Sequence, residues 1–230
     1  MPQKRLNILL KIPLISSLVK KKIKKSLGWS RANAIVSGAA FLPQALIDWY
    51  KTLDVNILNG YGMTENCCVC SYLDTINKEG KGSVGIPWDA VDIKIGDEGE
   101  IWTKSPYLLK EYYKNKELTA EVMKDGWFNT GDKGYLDDKG YLFITGRVKD
   151  IFKTSKGKYI EPSVIEAEFE KVNLFQQVCV VGLNLPQPIL LGVPNESALL
   201  NKQDTTEKIE EFLQKINSGM DNYKRIEKVV

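Results

Sequence analysis

Ala34-Ile35-Val36-Ser37 running into Gly38-Ala39-Ala40, and Val55-Asn56-Ile57-Leu58 running into Asn59-Gly60-Tyr61-Gly62, decide the fold class of this chain. Each is a short apolar run ending in small residues, the pattern of a buried strand that delivers the chain to a loop. Between them Pro43 stands at a helix start, with Leu46, Ile47 and Tyr50 following at helical spacing. Strand, small-residue loop, helix, strand, small-residue loop is the grammar of a doubly wound α/β unit. Such units bind ligands beyond the carboxyl ends of their strands.

Upstream, residues 6–27 mix Leu9, Leu10, Ile12, Leu14, Ile15, Leu18, Val19 and Ile23 with the basic run Lys20-Lys21-Lys22-Ile23-Lys24-Lys25. Pro13 starts or kinks a helix there. The spacing predicts a core-facing helix with a solvated lysine face; an element drawn to an anionic membrane surface is the alternative.

Downstream the periodicity changes. Val91-Asp92-Ile93-Lys94-Ile95 alternates strictly, turns at Gly96-Asp97-Glu98-Gly99 and returns as Glu100-Ile101-Trp102-Thr103. A short helix near Leu118 to Met123 precedes a second hairpin, Tyr135-Leu136 and Tyr141-Leu142-Phe143-Ile144 across Asp137-Asp138-Lys139-Gly140. A third section follows Arg147. Ile151-Phe152-Lys153 and Lys158-Tyr159-Ile160 flank the turn Ser155-Lys156-Gly157, Pro162 opens a helix through Ile165 and Phe169, and Val178 to Val181 reads as a buried strand. Asp204-Thr205-Thr206-Glu207 has the form of a reciprocal helix cap, ahead of Ile209, Phe212, Leu213 and Ile216. The expected class is α/β in three parts. Residues 1–90 form part of a doubly wound α/β subdomain, 91–146 a small antiparallel, barrel-like β subdomain, and 147–230 a hinge with a small α+β C-terminal domain.

Composition narrows the chemistry. With 32 basic and 29 acidic side chains the formal charge is +3, too mild to imply a nucleic-acid partner. There is no histidine, which excludes Ser-His-Asp and Cys-His nucleophiles and any imidazole metal site. The four cysteines, Cys67, Cys68, Cys70 and Cys179, lack paired metal spacing. In a strand Cys68 and Cys70 would share a face, and buried thiols in a reducing, cytoplasmic setting are expected. No apolar run approaches the ~20 residues that span a bilayer. Ile8 to Ile15 is broken by Lys11 and Pro13, so no secretory leader is expected.

Three stretches could carry chemistry. In Gly60-Tyr61-Gly62-Met63-Thr64-Glu65 two glycines let the backbone approach a planar ligand on which Tyr61 stacks. Thr64 offers a hydroxyl to phosphate, and Glu65 offers a hard oxygen for Mg²⁺. A tight turn around a buried tyrosine fits as well. In Gly126-Trp127-Phe128-Asn129-Thr130-Gly131-Asp132 the carboxylate on a turn can accept from both hydroxyls of a ribose, or cap its own backbone. In Gly146-Arg147-Val148-Lys149-Asp150, followed by Lys153, Arg147 can clamp phosphate or ribose oxygens; a solvated charged linker is the alternative.

Taken together and in this order, the stretches resemble the adenylate-forming superfamily of acyl-CoA synthetases, peptide-synthetase adenylation domains and beetle luciferases. The resemblance runs from about Lys22 to Lys228. It rests on Ser37-Gly38-Ala39-Ala40, Tyr61-Gly62-Met63-Thr64-Glu65, Trp127 to Asp132, Gly146-Arg147 and Lys156-Gly157-Lys158-Tyr159-Ile160-Glu161-Pro162. The wording from Phe152 to Ile160 is most similar to long-chain fatty acid–CoA ligases. The resemblance implies that Gly38, Ala39 and Ala40 edge the adenine, Tyr61 stacks on it and Thr64 holds the α-phosphate. Glu65 would bind Mg²⁺, and Asp132 and Arg147 the ribose. Gly60, Gly62 and Ile144 complete the implied nucleotide contacts. Lys149 would be the hinge between half-reactions, and Lys153 would face the site in the thioester-forming orientation.

The implied substrates are ATP, a carboxylic acid, expected to be a long-chain fatty acid, and CoA, with AMP carried as the acyl adenylate. Two family features have no match. There is no Ser/Thr/Gly-rich loop ending in Lys, since Gly80-Lys81-Gly82-Ser83-Val84-Gly85 matches the lead-in to the small β unit. The sequence also ends at Lys228-Val229-Val230, before the stretch where the family places an adenylation lysine. The expectation is therefore a C-terminal fragment without useful activity of its own. Self-association through exposed apolar surface is expected, and so is a cytoplasmic location with peripheral contact at the inner membrane surface. A non-catalytic nucleotide- or partner-binding remnant, and a synthetase for another acid, are the alternatives.

Overall fold

The computed structural model describes residues 6, 8–40, 42–68, 70–74, 79–172, 174–195 and 202–230, without the side chains of 170 and 202–204. The chain divides into two units. One comprises Met1–Val91 with Pro106–Leu109, the other Asp92–Ser105 with Lys110–Val230.

In the first unit helix α1, Pro13–Ser26, begins on Pro13, whose fixed φ and missing N–H suit a first turn. Strand β1, Val36–Ser37, pairs in parallel with β2, Leu58–Tyr61, across helix α2, Gln44–Thr52. Strands β3, Ser71–Asp74, and β4, Ile86–Pro87, extend this sheet antiparallel in the order β1-β2-β3-β4. Leu53, Val55 and Ile57 form the core under it, with Trp29, Ile35, Trp49 and Tyr50 packed around them.

Three expectations fail here. Val36 is 67% exposed, so β1 is short and open rather than buried. Strand β2 begins where the second apolar run ends and carries Asn59, Gly60 and Tyr61 within it, because each pairs across the sheet with β3. Helix α1 meets the core through the half-buried Ile23 but turns much of its apolar surface away: of its residues only Ser16 is buried, while Leu14 is 84% and Leu18 69% exposed.

In the second unit β5, Asp92–Ile95, β6, Glu100–Lys104, β7, Met123–Lys124, β8, Trp127–Leu136, and β9, Leu142–Arg147, form one antiparallel sheet, with α3, Lys116–Val122, before β7. The long β8 pairs with β6, β7 and β9, so Trp127 to Asp132 is strand and not the turn expected. A hairpin of β10, Phe152–Lys153, and β11, Tyr159–Ile160, leads into helix α4, Pro162–Glu170. Strand β12, Phe175–Val181, is longer than the sequence suggested and pairs with β13, Ile189–Pro194, which the sequence reading missed.

Helix α5 spans Lys202–Ser218, which places Asp204 to Glu207 inside it and not at its cap; the Asp204 side chain lies outside the described residues. Ile160, Ile165, Phe169, Val180, Leu190 and Ile226 form the core of this section. Phe169 is fully buried, edge-on to Phe175 and Phe212.

Candidate nucleotide-binding site

The candidate residues fall in both units, and each group has its own geometry. In the first unit the parallel register Val36↔Leu58 and Ser37↔Asn59 carries Gly38 and Gly60 side by side at the carboxyl ends of β1 and β2. A Cβ on Gly38 would lie 2.9 Å from the Gly60 carbonyl oxygen, so the two backbones meet only because position 38 has no side chain. Ala39 then adopts a left-handed φ of 65°, and Gly38, Ala39 and Ala40 stay exposed along this edge.

From the end of β2, Tyr61, Gly62 and Met63 run half-buried into a 3₁₀ turn, Thr64–Asn66. Thr64 is exposed and Glu65 half-buried. The turn is held from below: Leu109 N–H donates to the Glu65 carbonyl at 2.7 Å, and the buried Asn66 amide donates to Cys70 Sγ at 3.2 Å. Backbone and side-chain bonds thus fix the main chain of 64–66 and leave the Thr64 hydroxyl at the surface.

The cysteines differ from expectation. Cys67 and Cys68 take left-handed φ values of 49° and 61° in a turn, so no strand face unites Cys68 with Cys70. Cys67, Cys68 and Cys179 are exposed and only Cys70 is buried; Val69 lies outside the described residues. Burial around the Cys179 sulfur, with Glu166 and Asp150 nearby, raises its thiol pKa and disfavours the thiolate.

Gly80 to Gly85 is no phosphate loop. Ser83 Oγ donates to the Gly80 carbonyl at 2.6 Å and accepts from Gly85 N–H at 3.1 Å, so the buried hydroxyl is spent within its own turn. Gly85, at φ 91°, lies where a Cβ would strike the Tyr72 carbonyl, and the segment leads into β4 as the sequence implied.

In the second unit Asp132 and Arg147 are direct cross-strand partners on β8 and β9. Arg147 Nε donates to Asp132 Oδ1 at 2.9 Å, with the carboxylate 8% and the guanidinium 65% exposed. A bulge sets this up. Opposite β6 the register shifts between Glu100↔Lys133 and Trp102↔Asn129, with Gly131 at φ 74° between them. Thr130 Oγ1 donates to the Ile101 carbonyl at 2.9 Å and accepts from Asp132 N–H at 3.1 Å, which turns the carboxylate toward Arg147.

Gly146 and Arg147 therefore end a strand, in place of the linker that was the alternative, and only Val148–Asp150 forms a 3₁₀ turn. Ile144 and Lys149 are exposed. Lys153 is exposed on β10, its Nζ 5.4 Å from the Tyr159 ring centre. The sequence missed Thr130 and Asn129 as supports, the latter accepting from Gly131 N–H at 2.9 Å through Oδ1; a Thr and an Asn one and two residues before Gly131 were the available signal for a bulge.

Comparison with known proteins matches this order of features. Residues 8–113 fit the model of the AMP-binding enzymes, and residues 149–230 fit the AMP-binding enzyme C-terminal domain. Long-chain-fatty-acid–CoA ligase FadD15 of Mycobacterium bovis is 36% identical over 165 residues, 72% of this chain and 27% of that protein. Probable acyl-activating enzyme 16, chloroplastic, of Arabidopsis thaliana is 33% identical over 207 residues, 80% of this chain and 28% of that protein. The chain thus spans little more than a quarter of the length of these curated relatives. Among solved structures, o-succinylbenzoate coenzyme A synthetase from Bacillus subtilis, in complex with ATP and magnesium ion, superimposes with a TM-score of 0.69 at 25% identity, over 86% of this chain and 42% of that one. With both halves of one family pattern matched in order along its length, the chain belongs to the AMP-binding enzymes, the adenylate-forming acyl-CoA ligases.

Proposed function

We propose that this chain supplies adenylate contacts to an ATP-dependent acid–CoA ligase whose carboxylate substrate is a long-chain fatty acid. The supporting observation is the edge where two parallel strands end together, carrying Gly38 to Ala40 on one and Tyr61 to Glu65 on the other. Beyond such an edge the backbone is open to a planar base. Gly38, Ala39 and Ala40 would border the adenine, Gly60 and Gly62 would let the chain approach, and the Tyr61 ring would stack on the base.

The Asp132 carboxylate would accept from the ribose hydroxyls, held in orientation by Arg147, with Ile144 beside them. The Thr64 hydroxyl would donate to the α-phosphate. Mg²⁺ would be a partner of the half-buried Glu65, since Mg²⁺ is commonly held by one or two carboxylates together with substrate phosphates and water. When bound, it would neutralise phosphate charge.

In the first half-reaction the fatty carboxylate oxygen attacks the α-phosphorus and pyrophosphate leaves. In the second, CoA sulfur attacks the acyl carbon and AMP leaves. Lys149 would be the pivot between the two, bringing Lys153 to the site for the second. A chain without histidine can assist both steps by position and charge. The 230 residues include no Ser/Thr/Gly-rich loop ending in Lys. By themselves they are proposed to bind AMP without releasing pyrophosphate.

Two measurements test this. Calorimetry on the 230-residue chain should detect AMP binding that Tyr61→Ala weakens; binding indifferent to Tyr61 and Asp132 would remove the nucleotide reading. Palmitate-dependent pyrophosphate release should occur in a protein carrying these residues within a complete ligase and be absent from the 230 residues alone. Preference there for anthranilate or o-succinylbenzoate over palmitate would overturn the acid assignment and leave the ligase class intact.

A further inference from the structure

The C-terminal section of the second unit has a core of its own. Ile160, Ile165, Phe169, Val180, Leu190 and Ile226, and the partly buried residues packed against them, all lie at or beyond Phe152. The link back to β9 is the 3₁₀ turn Val148–Asp150, whose three residues are exposed. That core holds the section together without fixing its placement on β9.

A side-chain bond spans the turn instead. Ser163 Oγ, in the first turn of α4, donates to the Thr145 carbonyl at 2.8 Å, across 18 residues of chain. Both residues are half-buried, so the bond is partly shielded from water. Gly146 makes room for it. A Cβ at position 146 would lie 2.6 Å from Ser163 Oγ but 3.9 Å from Ser163 Cβ, so the conflict is with the hydroxyl and not with the helix. Relieving it means turning the hydroxyl off the Thr145 carbonyl or lifting α4 from β9. Either way the bond weakens.

Thr145 precedes the Val148–Asp150 turn and Ser163 follows it, so rotation about the turn carries donor away from acceptor. An interaction made in one of two arrangements shifts their ratio by its own free energy. We propose that Ser163 is a positioning residue, whose bond to Thr145 over Gly146 holds the C-terminal section in one of the two arrangements that the half-reactions use. The kinetic consequence rests on the acid–CoA ligase reading, while the bond and its effect on the turn do not.

Limited trypsin digestion of the 230-residue chain without nucleotide tests the bond, since cleavage after Arg147 and Lys149 follows the population in which the turn opens. Loss of a net hydrogen bond should raise that cleavage rate about two- to tenfold in Ser163→Ala. Gly146→Ala should do the same. The double variant should add nothing further, because without the hydroxyl the new methyl has nothing to strike. Cleavage after Lys215 on α5 should stay at the parent rate in all three. An unchanged rate in either single variant, effects that multiply in the double, or faster cleavage at Lys215 overturns the proposal.

Single-turnover kinetics in a complete ligase carrying these residues separate positioning from mere stability. Palmitoyl-AMP formation from palmitate and ATP is read apart from thioester formation from palmitoyl-AMP and CoA. Ser163→Ala should slow one step and speed the other, changing the ratio of their rates about two- to tenfold. Equal slowing of both is what lost stability alone would give, and it overturns the positioning role. A parent that forms no palmitoyl-AMP would strike the acid assignment and not the bond, which digestion decides.

Discussion

The two units hold their candidate nucleotide contacts by different means. In the first, backbone does the work: Gly38 passes the Gly60 carbonyl where no Cβ fits, and Tyr61 to Glu65 follow from where a strand stops. In the second, side chains do it: a bulged strand, the Thr130 hydroxyl and the Asp132–Arg147 pair set one carboxylate. The supports differ as well. Among the described residues the first unit has a buried aliphatic cluster of Leu53, Val55 and Ile57, and the C-terminal section of the second a larger one that includes the fully buried Phe169. The main-chain path of the first group fails when Gly38 gains a side chain, whereas the setting of the Asp132 carboxylate fails when a supporting side chain is lost.

The contrast can be broken at several points. Phe169→Ala should have the largest effect, destabilising the second unit by about 3–5 kcal/mol through lost burial and the cavity left behind. Denaturant unfolding would measure it, and a loss below about 1 kcal/mol would mean that the core is not centred there. Asp132→Asn comes next. Removing charge-assisted hydrogen bonds typically costs about 1.5–3 kcal/mol, so AMP affinity should fall roughly tenfold to a hundredfold, read by calorimetry below the melting temperature of the variant, which loses the Arg147 ion pair. An unaltered Kd would place the ribose elsewhere.

Gly38→Ala should destabilise the first unit by about 1–3 kcal/mol, because the new methyl meets backbone that cannot yield. Gly60→Ala should shift stability by less than about 1 kcal/mol, since its nearest neighbour would lie 3.8 Å away. Equal melting shifts for the two would end the claim that close approach matters at Gly38.

The smallest effect belongs to Glu100. Its own backbone amide, then the Trp102 indole and Glu98 amide, hydrogen-bond its carboxyl and lower its pKa against the opposing pull of burial, with Lys133 adding attraction. A carboxylate lowered on folding contributes stability above its unfolded pKa and loses it as pH falls through the folded value. Glu100→Gln should therefore be slightly less stable than the parent near neutrality and converge with it in acid. A difference that grows on acidification would reverse the sign.

Much of this was legible in the sequence, for local reasons. Pro13 and Pro162 mark first turns because proline's φ is already helical. The alternation from Val91 to Ile95 and the turn at Gly96 to Gly99 gave β5 and β6, since strand faces repeat every second residue. Other features were not readable. The Cys67 and Cys68 turn has no local marker, because left-handed φ at cysteine is imposed by the bonds around Asn66. Strand β13 was missed since Leu190 alone of its residues is buried and Pro186 and Pro188 precede it; what makes it a strand is its pairing with β12.

By itself, the sequence determined which motifs are present, their order and the elements that local dihedral preference and periodicity dictate. It therefore determined the family as well. Tertiary structure alone decided two things: that Asp132 and Arg147, 15 residues apart, are partners, and that Leu14 and Leu18 of helix α1 point outward while Ile23 meets the core. Each depends on strand register or on what packs opposite, and those are long-range interactions whose energy does not reside in any one stretch of chain.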